Sequence, residues 1–269
     1  MAAGLPSRDA VRELARSNPG ETSLMRQRAA EAERDGRKPS RDQRWVSLDR
    51  VSRHLLHALI ASEDAGFFDH GGLDWQALRE SLATNWERGR FARGGSTVTQ
   101  QLAKNLFFTT DKNLLRKARE VIVARWLERD LSKKRILELY VNVIEWGRGL
   151  YGCEAAARHY YGRSCASLGP EQAAGLAAMV PNPRRLNPQA SPKGHANAQR
   201  RVLRLMEVAT YVAERVSSLG SAPPAPLPPL VLDLEPPADP GDALGAPQPD
   251  AGESSSGGIP EEEAELEIP

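Results

Sequence analysis

The chain has 269 residues, 40% of them hydrophobic, with 36 Lys and Arg against 35 Asp and Glu. That is enough for one sizeable domain and an appendage. Two cysteines, Cys153 and Cys165, exclude a disulfide framework, and their spacing and neighbours do not make a zinc site. They are expected as small apolar residues in or near the core. No apolar run reaches the roughly 18 residues that would span a bilayer. No apolar stretch marks a signal peptide, so taken literally the chain reads as soluble. The near-zero net charge hides an asymmetry. Eleven of the acids lie from Ser221 onward, where there is no Lys or Arg. The remainder sets 36 basic side chains against 24 acids, a net +12. A basic body points to an anionic partner: nucleic acid, a phospholipid surface or a phosphorylated substrate.

Residues 1–44 are polar and charge-rich, with little apolar face. They read as an extended or loosely helical lead-in, with the domain starting near Trp45. Leu55, Leu56, Leu59 and Ile60 recur at helical spacing. This predicts a helix from Leu48 to Asp64 and puts Glu63 and Asp64 at its C-terminal end, where acids oppose the helix dipole. Trp75, Leu78, Leu82 and Trp86 make one stripe of a second helix, Asp74 to Gly89, flanked by Arg79, Arg88, Arg90 and Arg93. That stripe is either an ordinary core face or a segment at a membrane interface.

Gly94 and Gly95 break the pattern, and Ser96 or Thr97 can cap the next helix, which carries Gln100, Gln101 and Lys104 to about Phe108. A glycine-preceded helix start with hydroxyls and a nearby lysine suits an anion. Lys112 to Asp130 is a further helix, with Arg116 and Lys117 on the face of Glu120. Ser132 caps a helix ending near Asn142. EWGRGLYG is a glycine-punctuated turn before CEAAARHYYG, with Gly162 as its stop. The Ala-rich 171–180 segment should be buried. A last helix starts at Ser191-Pro192 and runs to about Ser218. From 221 to 269, with twelve of the chain's 20 prolines and many acids, the composition is that of a disordered tail. The domain, 45–220, reads as mainly α.

The chemistry concentrates in a few stretches. EDAGFFDHGGLD, from Glu63, sets two carboxylates beside two phenylalanines and His70, and GGSTVTQQLAK follows it. Then come RKARE (Arg116 to Glu120), KKRILELYVN (from Lys133) and RGLYGCEAAARHYYG. These five stretches, in this order, resemble the five motifs of the peptidoglycan glycosyltransferases of glycosyltransferase family 51. The resemblance covers about Trp45 to Pro188. VIEWGRGLYG is most similar to the monofunctional members. No S-x-x-K, S-x-N and K-T-G set follows, so no transpeptidase module is expected.

The resemblance implies a lysozyme-like, bilobal, mainly α domain with a small membrane-associated lobe at the Trp75–Phe91 stretch. It implies polymerisation of lipid II into β-1,4-linked glycan with release of undecaprenyl diphosphate. Glu63 matches the general base and Glu120 the second catalytic glutamate. Lys104, Arg116 and Lys117 are the expected diphosphate contacts, and Ser96 and Gln101 the substrate-positioning residues. Asp64 is expected as a hydrogen-bonding partner and His70 in a local structural bond. No cofactor is required on this reading, while Glu120 is a possible ligand for Mg²⁺ or Mn²⁺. The implied partners are lipid II, the growing glycan, the membrane surface, transpeptidases and divisome or elongasome proteins, with no nucleic acid. The expected place is the periplasmic or outer face of the cytoplasmic membrane. The family carries an N-terminal anchor, and MAAGLPSRDAV looks like a segment that follows one, so an upstream anchor is expected over peripheral binding. A lysozyme-like lytic enzyme and an inactive scaffold are the rival readings.

Overall fold

The lead-in is built into the body. In the computed structural model, which describes residues 4–219 except 77, 80–94 and 110–113, α1 (Arg8–Glu13) and α2 (Ser23–Arg34) are capped by Ser7 and Thr22. Val11 and Leu14 join the main core, and Leu24 and Met25 pack with Tyr151. The expected extended or loosely helical lead-in is thus corrected. Few apolar residues suffice here because charges complete the docking. Arg28 and Glu31 of α2 close a ring with Glu145 and Arg184, each neighbouring pair within 2.7–3.0 Å.

The core is helical. A 3-10 turn (Leu48–Arg50) precedes α3 (Arg53–Glu63), whose N-terminus is capped by Ser52. The helices α4 (Val98–Phe107), α5 (Leu114–Asp130) and α6 (Lys133–Val143) follow. Thr97, not Ser96, caps α4, accepting from the Gln100 N–H, and Ser132 caps α6. Next come α7 (Cys153–Tyr161), α8 (Pro170–Met179), α9 (Pro192–Val208) and α10 (Thr210–Ser217). Ala173 to Met179 are buried, as the lack of a polar face in α8 requires. Gly162 stops α7 at φ 66°.

The single last helix expected from Ser191 to Ser218 is instead two, broken at Ala209. The cause is tertiary: the Ala209 carbonyl lies 2.9 Å from His57 Nε2, a partner 152 residues away. The strands that sequence pattern did not show are three short ones. β1 (Asp42–Gln43) runs parallel to β3 (Leu150–Tyr151), and β2 (Glu145–Gly147) runs antiparallel to it. Gly149 lets β1 in: its φ is 69°, and a Cβ there would meet Ser40 Oγ at 2.2 Å.

The motif KKRILELYVN is a fastening rather than a catalytic element. Lys133 Nζ donates to the His70 carbonyl (2.7 Å) and to Glu128 (2.9 Å). Glu138 accepts from the Leu48 N–H, and Asn142 exchanges two bonds with Val46. Lys133, Glu138 and Asn142 thus tie α6 to segments that lead into or out of α3. The Asp74–Gly89 helix and the Trp75–Phe91 lobe lie largely outside the described residues, as does the tail.

Candidate active site

Glu63 is the last residue of α3 and is half-buried. Gln101, one turn into α4, donates from Nε2 to Glu63 Oε2 at 2.8 Å. Burial raises the Glu63 pKa above its ordinary value, opposed by Gln101 and Lys104, with Asp64 adding to the rise and Arg201 opposing it. The amide of Gln101 is held from behind: its Oε1 accepts from the hydroxyl of Tyr140 on α6 at 2.9 Å. Gln101 was expected to touch substrate. In this structure each end of its amide makes one hydrogen bond inside the protein.

Asp64 is the joint between α3 and α4. Oδ1 faces His70 Nε2 at 2.8 Å, and Oδ2 accepts the Val98 N–H at 2.8 Å. The Gly72 N–H donates to His70 Nδ1 (3.1 Å), which leaves Nε2 to carry the ring proton that faces Asp64. His70 therefore makes the local bond expected of it. Thr97 Oγ1 adds a bond to the Gly72 carbonyl, closing the loop between the two motifs.

The cations face this from α4 and α5. Arg116 bonds Glu120 Oε1, and Lys117 Nζ lies 3.6 Å from Oε2. Glu120 is buried. Lys117 also donates to Ser96 Oγ (2.6 Å) and Gln100 Oε1 (3.1 Å), which draws the start of α4 onto α5. Ser96 is thereby placed as a support for Lys117. Burial, then Lys104 and Arg116, lower the Lys117 pKa to about 8. Burial, then Arg116 and Arg28, lower that of Lys104, while Glu63 opposes the drop. All seven residues expected at the site are thus joined, by hydrogen bond, ion pair or electrostatic reach.

The arrangement can do two things at once. One carboxylate, made more basic by burial, can take a proton. Three cations, clustered with Glu63 and Glu120, can receive an anion that carries more than one charge. The residues do not fit a resident divalent ion. Glu120 is a single carboxylate already ion-paired on both oxygens. The other acid cluster, Asp64, His70 and Asp74, has ligand atoms within 4.8 Å of one another. However, both Asp64 oxygens and both His70 nitrogens are already hydrogen-bonded. A cleft of about 600 Å³ lies among Arg41, Arg148, His159, Arg184 and Asn187, and none of the seven residues lines it.

Residues 30–207 match the family described as Transglycosylase. The chain belongs to that family. It is 53% identical over 177 residues to the biosynthetic peptidoglycan transglycosylase of Dechloromonas aromatica, covering 66% of this chain and 77% of that protein. It is 50% identical over 167 residues to the protein of the same name from Janthinobacterium sp., covering 62% and 72%. The counterpart from Aromatoleum aromaticum is 47% identical over 185 residues, covering 68% and 80%. The mainly helical fold agrees with the lysozyme-like domain of this family. The match begins inside α2, so the family's domain reaches into the lead-in, and it ends before α10.

Two groups of residues at the site escaped the sequence reading. Tyr140 was quoted within its motif but given no part in the chemistry, and Lys133 and Glu128 were not read as fastenings. The signal was present for Tyr140, a polar residue inside the apolar repeat of α6, and not for Lys133, which opens that helix beside Lys134 and Arg135. For Glu128 there was none, because it sits among other charges on α5.

Proposed function

We propose that this peptidoglycan glycosyltransferase polymerises lipid II with Glu63 as general base and Lys104, Arg116 and Lys117 as the diphosphate cradle. The observation that carries this is the pairing of one half-buried, Gln101-held carboxylate with three clustered cations. In the reaction the 4-hydroxyl of the acceptor sugar attacks C1 of the lipid-linked donor. The new C1–O4 bond forms as the bond from C1 to the phosphate oxygen breaks. The hydroxyl proton goes to Glu63, and the electron pair leaves with undecaprenyl diphosphate. One displacement turns the α-linked donor into a β-1,4 product.

Glu63 has to be ionised to act, and Gln101 and Lys104 hold it so against the pull of burial. Glu120 does not touch the acceptor on this reading. It orients Arg116 and Lys117 and offsets part of their charge until the diphosphate arrives. The rival lytic reading gives the three cations no task, because glycan hydrolysis expels no diphosphate. Like its relatives, the protein works in the cell envelope. We place it on the outer face of the cytoplasmic membrane, beside transpeptidases of the divisome or elongasome. Among the described residues no helix is long and apolar enough to cross a membrane. Exposed apolar side chains at Trp75 (56%) and Leu115 (57%) support contact with the lipid surface.

The test is polymerisation of lipid II in detergent, with products compared before and after muramidase. Wild type gives muramidase-sensitive polymer. Glu63→Gln lowers kcat by about 10²–10⁴-fold, the range for a lost general base. A variant that still polymerises at the wild-type rate removes Glu63 from the mechanism, and shortening of finished glycan favours the lytic reading.

A further inference from the structure

We propose that Tyr140 is a positioning residue for this reaction, orienting the Gln101 amide so that Glu63 is held in its base form. The proposal rests on the assignment of Glu63 above. An amide can present either end to a carboxylate. With Nε2 toward Glu63 it donates and favours the ionised acid. With Oε1 toward Glu63 two acceptors meet, which is tolerated only when Glu63 carries a proton.

What decides between the two lies behind the amide. Tyr140 is fully buried, so its O–H has no water to turn to. Among the described residues its one hydrogen-bond partner is Gln101 Oε1, at 2.9 Å. If the amide turned over, the phenol oxygen could accept from Nε2, but its own proton would be left without an acceptor in the core. The cheapest arrangement therefore keeps Oε1 on the tyrosine and Nε2 on Glu63. The donor does not switch off with pH, since burial, with Glu63 and Asp64 nearby, holds the phenol protonated well above its ordinary range.

The relay runs through three elements. Glu63 ends α3, Gln101 sits on α4 and Tyr140 on α6, and the two bonds measure 2.8 and 2.9 Å. The other charges that reach Glu63 are Asp64 beside it, Lys104 on α4 and Arg201 on α9. None of them bonds Tyr140, so a change at the phenol leaves them in place.

Tyr140→Phe keeps the ring and its packing and deletes only the donor. The expected result is that the acid limb of the kcat/KM profile moves up by roughly half to one pH unit, the scale of one lost hydrogen bond. KM on the plateau and the alkaline limb stay where they were. Gln101→Ala moves the acid limb the same way, and in that background Tyr140→Phe adds nothing. An acid limb that stays put in both single variants overturns the proposal, whatever the rate does. So does a further shift in the double variant, because Tyr140 would then act by another route. The two readings fail differently: an active Glu63→Gln removes the base itself, whereas an inactive Glu63→Gln beside an unmoved acid limb removes only the role of Tyr140.

A second inference rests on a separate observation. The Sγ atoms of Cys153, at the start of α7, and Cys165 lie 3.2 Å apart, and both residues are fully buried. Both are free thiols at hydrogen-bond distance, and about 1 Å of movement separates the pair from a disulfide. We infer that the two form one in the envelope, where thiols are oxidised. Each thiol loses a proton, the S–S bond forms, and the two electrons pass to a protein or small-molecule disulfide, which is reduced to its two thiols. The bond closes during folding, before burial denies access.

It would tie α7 to the segment that holds the start of α3, since the Cys165 carbonyl accepts the Ser52 N–H and the Leu168 carbonyl accepts Ser52 Oγ. Protein exported to the periplasm, denatured and alkylated without reductant is expected to take up no label, and two labels after reduction. Two labels without reductant overturn it.

Discussion

The two halves of the site are built on opposite terms. Around Glu63 and Asp64 the polar groups are paired before any substrate arrives: Asp64 with His70 and Val98, Gln101 with Glu63 and Tyr140, Thr97 with Gly72. On α4 and α5 the cations disfavour one another. Burial and their neighbours lower the pKa of both Lys104 and Lys117. The first half needs geometry, since a general base works only within hydrogen-bond reach of its proton. The second needs a concentration of positive charge, since an anion binds best where cations cluster. A protein built for stability alone would spread these cations apart, and this one gathers them where the leaving group is expected.

Substitutions should therefore separate the halves by what they do to stability. The largest effect is expected at Asp64. Asp64→Asn keeps the shape but turns one acceptor into a donor, so either the His70 N–H or the Val98 N–H loses its partner. The cost is about 1.5–3 kcal/mol, the scale of a bond to a charged group, read by urea unfolding. Activity should fall with it, because the joint between α3 and α4 sets the Glu63–Gln101 distance. An unfolding midpoint equal to wild type breaks the idea that this half is rigid by design. Next comes Lys117→Met. Here kcat/KM should fall about 10–100-fold, while stability holds or rises by a few tenths of a kcal/mol, the scale of exposed charge interactions. A clear loss of stability would mean that the bonds to Ser96 and Gln100 outweigh the cost of housing the charge.

How much of this was legible depends on how far apart the partners are in the chain. Local matters read well: Ser132 as a cap, Gly162 as a stop, Glu120 within reach of Arg116 and Lys117. Their partners lie within a turn, so spacing alone decides them. The motifs also named residues that the fold brings together, although composition by itself gave only an unassigned polar cluster. What did not read was tertiary. The pairing of Tyr140 with Gln101 spans 39 positions and His57 with Ala209 spans 152, and no periodicity carries either. The lead-in was misread because α1 and α2 bury few apolar residues and rely on the Arg28–Glu31–Arg184–Glu145 ring, which spacing in α2 cannot show.

The smallest expected effect is also the most direct measure of the difference between the halves, because it follows the proton. Lys117 titrates at about 8 in the folded protein against an ordinary 10.5. Between those values the unfolded chain binds the proton and the folded one does not, so stability rises with pH across that window, and below 8 the full cost of the charge is present. A diphosphate between the cations supplies the missing counter-charge and returns the pKa upward. At a pH just above 8, binding should therefore take up part of a proton, and affinity should weaken as pH rises further. Calorimetric titration with inorganic pyrophosphate in two buffers of different ionisation enthalpy reads that uptake. Lys117→Met should abolish it, and Tyr140→Phe should leave it unchanged, since the phenol serves the other half. Uptake that survives in Lys117→Met would move the proton uptake to Lys104. No uptake in wild type would mean that the cations are already balanced, and the contrast between the two halves would not hold.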